Sequence, residues 1–233
     1  MNRVRTVSLP HGGPSDLDVV RVEIDFDATL DDAAFAALST DERARAQRFY
    51  RHEDTLRFAS VRAALRDLLS ARLGIAARDV RFASGENGRP CVTQSAHGAV
   101  CAPDFNVSHS GAYGLIALSD QRRVGVDIEQ HSERVEWRSL SRATLTGSEI
   151  AWIDSLDADA QLRAFYDAWS AKEALLKAIG VGIAGGLPRL AVLPRDGMHV
   201  VARHWTLDHP PTLEAAWLDA PAAYAACVAW STA

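Results

Sequence analysis

The sequence predicts an α+β protein built from two related halves, each holding a pair of helices followed by mainly antiparallel strands. Three observations support this: two helix-start signatures, a series of alternating apolar runs separated by turn residues, and an internal repeat. With 233 residues, 48% of them hydrophobic and 24% charged, the chain is long enough to bury a full core and has an ordinary globular composition.

The internal repeat consists of three pairs of similar segments in the same order and at similar offsets. They are Leu38–Glu42 with Leu145–Glu149, Ser60–Leu65 with Ser170–Leu175, and Leu73–Ala76 with Val181–Ala184. Chance rarely produces such an order. The repeat therefore predicts an N-terminal half over 1–118 and a C-terminal half over 119–233.

Each half begins its helical pair with a capping box. Ser39-x-x-Glu42 and Thr146-x-x-Glu149 carry the Ser/Thr-x-x-Glu pattern, in which both residues satisfy free backbone N–H groups. The predicted helices are 40–50, 55–73, 147–156 and 160–179. The predicted strands, from alternation of apolar and polar residues, are 19–25, 79–83, 99–107, 112–118, 123–129, 189–193, 198–207, 212–219 and 223–230.

Several classes of protein are disfavoured by composition. No uncharged apolar run is long enough to span a membrane, and the N-terminus lacks a secretory hydrophobic region. The net charge of -5 argues against broad nucleic-acid binding. Cys91, Cys101 and Cys227 form no C-x-x-C pair and are interpreted as buried apolar residues. A cytoplasmic protein that binds neither membranes nor nucleic acid is predicted.

Two carboxylates stand two residues apart in a predicted strand. Asp127 and Glu129 would face the same side of the sheet, with Val126 and Ile128 toward a core. Such close like charges repel unless a cation lies between them, and a hard ion such as Mg²⁺ suits oxygen ligands. Gly125 would allow another backbone to approach closely. The alternative is a solvated strand end with two surface acids.

The chain has only two lysines, Lys172 and Lys177, and both lie in the last predicted helix. Lys172 falls within an apolar stripe, where an unpaired ammonium is costly, so it must reach a partner or a cleft. Glu173 and Lys177 lie one turn apart and fit an ordinary helical ion pair. The stripe itself consists of Phe165, Trp169, Leu176 and Ile179.

Two further segments could bind anions. Ser108 and His109 follow a short predicted strand and precede a glycine, and His109 could pair with a phosphate or a carboxylate. Arg89 stands between Gly88 and Pro90, where it is either a turn residue or an anion ligand.

Together these segments resemble the Sfp-type 4'-phosphopantetheinyl transferases. The matching segments run in the family's order from about residue 40 to 185 and are 48–50, 53–57, 88–90, 105–110, 125–129 and 169–177. The strand Gly-x-Asp-x-Glu and the helix Trp-Ser-x-Lys-Glu-Ala-x-x-Lys are specific as a pair. The resemblance implies a pseudo-dimer fold within one chain, working as a monomer, with the active site between its halves.

The resemblance also implies the chemistry: Mg²⁺-dependent transfer of the 4'-phosphopantetheine arm of coenzyme A to a serine of an apo acyl, peptidyl or aryl carrier protein, releasing adenosine 3',5'-bisphosphate. By motif match, the metal ligands would be Asp127, Glu129 and Glu173. The coenzyme A ligands would be Arg45, Arg57, Arg89, Ser108, His109, Lys172 and Lys177, with the 3'-phosphate near Arg45, Arg57 and His109.

For catalysis, the resemblance implies that Lys172 and Lys177 stabilise charge on the breaking pyrophosphate. Either Glu173 or a metal-bound water would accept the serine proton, and Glu149 could support the metal or the base. This sequence departs from the family pattern at Glu42, where a basic residue is common, and at Arg89, which replaces a lysine. A coenzyme A-binding regulatory protein without transferase activity and another Mg²⁺-dependent phosphotransferase or hydrolase remain as alternatives.

Overall fold

The computed structural model describes residues 3–10, 13–85, 89–93, 103–134, 136–180, 186–202 and 212–232. Its α-helices are α1 Thr40–Ala46, α2 His52–Leu73, α3 Trp137–Thr144, α4 Gly147–Asp154 and α5 Ala158–Ile179. Its strands are β1 Arg3–Thr6, β2 Leu17–Glu23, β3 Phe82–Ser84, β4 Pro90–Val92, β5 Asp104–Ser110, β6 Tyr113–Ser119, β7 Val124–Gln130, β8 Leu213–Trp217 and β9 Tyr224–Ser231. No described helix combines the length and the apolar composition needed to cross a membrane.

The strands form two main antiparallel sheets and one hairpin. The first sheet has the order β1-β2-β6-β5, the second has the order β7-β9-β8, and β3 pairs with β4. All the described pairings are antiparallel, which confirms the predicted sheet type. The α+β fold class predicted from the sequence is confirmed.

The two sheets bury their inner faces against each other, and a long helix covers each outer face. The central core joins residues of β2 and β6 to residues of β7 and β9, including Val19, Leu115, Val126, Ile128 and Val228. Helix α2 packs on the first sheet, and α5 packs on the second. Since strand side chains alternate between faces, each sheet contributes to the central core and to the core beneath its own helix.

The repeat seen in the sequence is present in the structure. Both capping boxes form, with Ser39 and Glu42 at the start of α1 and Thr146 and Glu149 at the start of α4. The long helices α2 and α5 both have 22 residues and end at a left-handed glycine, Gly74 and Gly180 respectively. Glycine adopts this conformation at little cost, so both helices stop at the same place in the repeat.

Several predicted elements differ from those observed. Strands β1 and β4 and helix α3 were not predicted; they are short and depend on neighbouring elements. The predicted strand over 189–193 is wrong, because Leu187–Arg189 forms a 3-10 turn there and no strand follows. The predicted strands 99–107 and 198–207 fall partly outside the described residues. In their described parts, the first is a strand only from Asp104, and the second has no strand, only isolated β-bridges at His199. Cys227 is buried as expected, Cys91 is exposed, and Cys101 lies outside the described residues.

Candidate active site

The edge strands β5 and β7 of the two sheets lie side by side. Side chains of β5, and not its backbone, accept the hydrogen bonds from the backbone N–H groups of β7. This contact is called the seam. Asp104 Oδ2 accepts the N–H of Val124 at 2.7 Å, and Asn106 Oδ1 accepts the N–H of Val126 at 2.9 Å. Alternate residues of β5 all face this seam. The seam therefore fixes β7, which carries the paired acids, against the N-terminal half.

The same seam holds both acids of the strand. Ser108 Oγ donates to Asp127 Oδ1 at 2.7 Å, and Ser110 Oγ donates to Glu129 Oε2 at 2.9 Å. Asp127 is 2% exposed, which excludes the alternative of two solvated surface acids for that residue. As the strand periodicity predicted, Val126 and Ile128 point into the central core.

Helix α5 approaches β7 closely because Gly125 has no side chain. A Cβ at this position would lie 2.0 Å from the carbonyl oxygen of Ala174 and 2.5 Å from the nitrogen of Ala178. Both distances are far below van der Waals contact. The predicted close backbone approach at Gly125 is confirmed, and it places the α5 side chains over Asp127.

Lys177 and Glu173 of α5 complete a charged cluster with Asp127. Lys177 Nζ lies 2.7 Å from Asp127 Oδ1 and 3.7 Å from Glu173 Oε2, and it also contacts Ser108 Oγ at 3.3 Å. Burial alone would lower the pKa of Lys177, but Asp127 and Glu173 outweigh it and raise that pKa. The ammonium is therefore held as a fixed positive charge among the carboxylates.

The carboxylates of the cluster are electrostatically crowded. Burial, and then the charge of Asp127, raise the pKa of Glu129 to about 7 and that of Glu173 to about 7. Asp127 Oδ2 is buried and accepts no hydrogen bond from the described residues. An unused buried oxygen beside two destabilised carboxylates is the environment that a bound cation would relieve.

Among the described residues, no group of three or more His, Cys, Asp or Glu side chains is already arranged around a metal position. The Lys177 ammonium lies among the carboxylates instead. The donor set itself consists of the hard oxygen ligands that Mg²⁺ prefers. The residues present thus fit the ion in chemistry, and binding requires their rearrangement around it.

Lys172 does not join this cluster. Its side chain is fully buried, and Nζ donates to Glu149 Oε2 at 2.5 Å, to the carbonyl of Thr144 at 2.7 Å and to that of Leu187 at 3.1 Å. Three acceptors satisfy all three N–H groups of an ammonium. The expected contact of Lys172 with the pyrophosphate is therefore not supported, and its place is a buried ion pair within the C-terminal half.

Glu149 is likewise engaged within the fold. Besides Lys172, it caps α4 through Thr146, and its Oε1 accepts the backbone N–H of Val192 at 2.8 Å. Glu149 is 1% exposed. These contacts account for its carboxylate without a role in holding a metal or accepting a proton.

Arg89 joins the two halves. Its guanidinium donates to Asp104 Oδ2 at 2.7 Å, to the carbonyls of Phe105 at 2.9 Å and Val124 at 2.7 Å, and to the carbonyl of Lys177 at the end of α5. A cation at a helix C-terminus is also favoured by the helix dipole. The expected phosphate contact of Arg89 is not supported, because its donors serve internal acceptors at the seam.

A cavity of about 510 Å³ opens on the other face of β5, between that strand, α1, α2 and the β3–β4 hairpin. Arg45 and His109, two of the predicted 3'-phosphate ligands, line it. Desolvation lowers the pKa of His109, with the charges of Arg57 and Lys177 acting in the same direction. Arg57 lies outside the cavity lining, where it donates to the carbonyl of Gly111 at 2.8 Å and pairs with Asp54 at 2.5 Å.

The sequence analysis missed two residues that the structure places at these sites. Ser110 donates to Glu129, and it could have been found if the predicted strand 99–107 had been extended to include Ser108, since residues two apart on a strand face the same side. Arg62 lines the cavity, and it occupies the position of Lys172 in the internal repeat. The repeat was thus the available signal for Arg62.

Comparison with known proteins gives two adjoining family matches. Residues 123–229 match the model of the 4'-phosphopantetheinyl transferase superfamily, and residues 29–121 match that of the 4'-phosphopantetheinyl transferase N-terminal domain. A putative 4'-phosphopantetheinyl transferase of Synechocystis is 35% identical over 186 residues, covering 76% of this chain and 74% of the relative. The transferase Sfp of Bacillus subtilis is 33% identical, covering 69% of this chain and 68% of its own. The transferase HetI of Nostoc is 35% identical, covering 68% and 65% respectively.

Proposed function

Because the chain belongs to the 4'-phosphopantetheinyl transferase family, we propose that it transfers the 4'-phosphopantetheine arm of coenzyme A to a serine of an apo carrier protein. One observation carries the proposal. Asp127 of β7 pairs with Lys177 of α5, which also lies near Glu173, and Ser108 and Ser110 of the other half hold Asp127 and Glu129. This arrangement supports an active site between the halves, as the motif match implies.

The proposed reaction is a phosphoryl transfer, which depends chiefly on positioning and on neutralising charge. The carrier serine oxygen forms a bond to the phosphorus that bears the pantetheine arm. The bond from that phosphorus to the bridging pyrophosphate oxygen breaks, and adenosine 3',5'-bisphosphate leaves with the electron pair. Lys177 supplies positive charge beside the pyrophosphate, where negative charge increases as this bond breaks.

We assign the role of general base to Glu173. Its carboxylate is buried beside Asp127, and both features favour proton binding by Glu173, as a group that accepts the serine proton requires. Lys177 lies beside it and provides a fixed counter-charge. Asp127 and Glu129, which accept hydrogen bonds from Ser108 and Ser110, would ligate the cation together with Glu173.

The metal we propose is Mg²⁺, held by Asp127, Glu129 and Glu173. When bound, the ion would polarise the pyrophosphate and neutralise part of its charge. The buried, unpartnered Oδ2 of Asp127 and the raised pKa values of Glu129 and Glu173 support this assignment. The ion would offset both burial and the charge of Asp127, the two causes that raise those pKa values.

The test is to incubate the protein with coenzyme A and apo acyl, peptidyl and aryl carrier proteins, with Mg²⁺ or with a chelator, and to weigh each carrier by mass spectrometry. We expect one carrier to gain a single phosphopantetheine group, with an equal amount of adenosine 3',5'-bisphosphate, only when Mg²⁺ is present. No gain on any carrier type would reject the transferase. If coenzyme A still bound, the regulatory alternative would take its place.

A further inference from the structure

The two capping glutamates, Glu42 and Glu149, occupy equivalent places in the repeat but have different partners. In the C-terminal half, Lys172 gives all its donors to Glu149 and two carbonyls. In the N-terminal half, Glu42 pairs with Arg66, whose Nε donates to Glu42 Oε2 at 2.7 Å. Arg62, the repeat equivalent of Lys172, is therefore left without the full partnership that Lys172 has.

One hydrogen-bond donor of Arg62, the Nη1 atom, has no acceptor among the described residues. The Nε of Arg62 lies 3.6 Å from Glu42 Oε1, beyond hydrogen-bond distance, and Nη1 is buried. The side chain is only 11% exposed. A buried guanidinium donor without an acceptor is costly, so an anion that accepted this donor would be stabilised.

The position of Arg62 is fixed by aromatic rings. Its guanidinium carbon lies 4.3 Å from the ring centre of Phe82 and 5.8 Å from that of Phe58. Cation–π contacts at these distances restrict the side chain without using its hydrogen-bond donors. The free donor is therefore held beside the cavity that Arg62 lines together with His109.

The charges around this cavity favour an anion. Arg45, Arg48 and Arg62 line it, against the acids Asp41 and Glu42, and Arg66 already neutralises Glu42. Arginines crowd one another here, since burial and the charges of Arg45 and Arg66 lower the pKa of Arg62 against the opposing effect of Glu42. A dianionic phosphate monoester would relieve that crowding and accept two donors from one guanidinium.

We propose that Arg62 binds the 3'-phosphate of coenzyme A and thereby sets selectivity for the 3'-phosphorylated coenzyme, an inference that rests on the proposed transferase function. The basic charge that the sequence lacks at Glu42 would thus be supplied by Arg62 of α2, whose Nε lies 3.6 Å from the Glu42 carboxylate. Arg62 is a specificity-determining residue and takes no part in the bond-breaking step.

The experiment compares transfer from coenzyme A with transfer from 3'-dephospho-coenzyme A. The variants are Arg62→Gln and Arg62→Lys, and Arg72→Gln is a control with the same charge change on the same helix, away from the cavity. We expect Arg62→Gln to lower kcat/KM for coenzyme A by about 10- to 100-fold, the value of a charged hydrogen bond, and to lower that for 3'-dephospho-coenzyme A far less, so that the preference for coenzyme A is lost. Arg62→Lys should fall between, because it keeps the charge and loses the planar fork.

Comparing coenzyme A with 3'-dephospho-coenzyme A separates loss of 3'-phosphate binding from a general loss of activity. Equal losses on both, or the wild-type preference retained in Arg62→Gln, would overturn the proposal. If Arg62→Gln does not fold, Arg62→Lys, which keeps the positive charge beside Glu42, is judged by the same comparison.

Calorimetric measurement of nucleotide binding tests the role of Arg62 even if the proposed transferase activity is wrong. If wild-type protein modifies no carrier, the transferase fails, and binding of adenosine 3',5'-bisphosphate and of 5'-AMP is measured instead. Weakened binding of the bisphosphate alone in Arg62→Gln would support the assignment of Arg62. Equal binding of both nucleotides by variant and wild type would refute it.

Discussion

Lys177 and Asp127, fifty positions apart in the chain, form an ion pair of 2.7 Å that joins the last helix to the first strand of the C-terminal half. The pair lies on the seam between the two halves, where Ser108 of β5 also donates to Asp127. A change on any of the three elements should therefore alter the geometry of the others.

Asp127→Asn should abolish transfer and preserve the fold. The amide keeps the shape of the side chain and loses the charge that Lys177 and a divalent cation need. We expect transfer to fall by more than about 100-fold, beyond the usual effect of changing an outer-shell metal partner. Mass spectrometry of the carrier gives the rate, and circular dichroism confirms folding.

The control for that variant is Asp154→Asn, a surface acid paired with Arg138 at 2.7 Å. Exposed pairs of this kind contribute little, so activity and stability should stay at the wild-type level. Undiminished Mg²⁺-dependent turnover in Asp127→Asn would contradict the assignment of Asp127.

Gly125→Ala should displace α5 from β7. The added methyl group would lie 2.0 Å from the carbonyl oxygen of Ala174, so the helix must shift and carry Glu173 and Lys177 away from Asp127. We expect a loss of about 1–3 kcal/mol in unfolding free energy, together with a large loss of transfer. Urea unfolding and the carrier assay measure the two effects.

Gly147→Ala is the matched control, because a Cβ at Gly147 meets nothing within 4 Å at the start of α4. Alanine also favours the helix over glycine, so this variant should be as stable as wild type or more so. A Gly125→Ala protein as stable and active as Gly147→Ala would show that the close approach is not needed.

Lys172→Met should destabilise the protein through Glu149. Removing one partner of a buried ion pair leaves the other charge uncompensated, which costs about 3–5 kcal/mol. Lys172→Met combined with Glu149→Gln should recover part of that loss, since no buried charge remains unpaired. Urea unfolding of the single and double variants measures the difference.

The same variant tests whether Lys172 takes part in the reaction. If Lys172→Met kept wild-type stability and lost only kcat, a direct contact with the pyrophosphate would be indicated, as the motif match first implied. Loss of stability with partial rescue in the double variant would place Lys172 in the support of the C-terminal half.

Arg89→Lys should weaken the seam more than the binding of coenzyme A. A lysine keeps the charge but cannot reproduce the arrangement in which one guanidinium serves Asp104 and three carbonyls. We expect about 1.5–3 kcal/mol less unfolding free energy for each charged hydrogen bond lost. Unchanged stability with a raised KM for coenzyme A would restore the phosphate role that the motif implied.

Glu129 should make stability depend on pH in the metal-free protein. Its pKa is raised from 4.5 to about 7, so the folded state binds more protons than the unfolded state between these values. The contribution of Glu129 to the free energy of unfolding is fully present below pH 4.5 and is lost as the pH rises through about 7. Glu129→Gln should therefore gain stability relative to wild type over that range.

The measurement is urea unfolding of wild type and Glu129→Gln in chelator, between about pH 5 and pH 8. Comparing the two proteins cancels the effect of His109 and His131, whose lowered pKa values act in the opposite direction. Parallel stability curves would show that Glu129 has no raised pKa in the folded state.

Sequence reasoning succeeded for features that depend on a few neighbouring residues. The period of two along β7 placed Asp127 and Glu129 on one side and Val126 and Ile128 on the other, because a strand fixes this alternation by itself. The capping boxes at Ser39 and Thr146 formed for the same local reason.

Sequence reasoning failed where the hydrogen-bond partners of a long side chain belong to elements distant in the sequence. Lys172 carries the family motif, but its ammonium reaches Glu149 and the carbonyls of Thr144 and Leu187, which the sequence does not mark as neighbours. Arg89 stands in a turn motif, but its acceptors come from β5, β7 and α5.

The sequence by itself determined the α+β class, the twofold repeat, the two acids of β7 and the helix that bears Glu173 and Lys177, because periodicity and capping are properties of adjacent residues. Only the tertiary structure decided which cations reach the carboxylates and which are used within the fold. Lysine and arginine side chains bind whatever acceptor lies within reach of their flexible stems, and that is set by packing across the seam. Lys177 thus faces Asp127, whereas Lys172 is enclosed and Arg62 keeps a free donor.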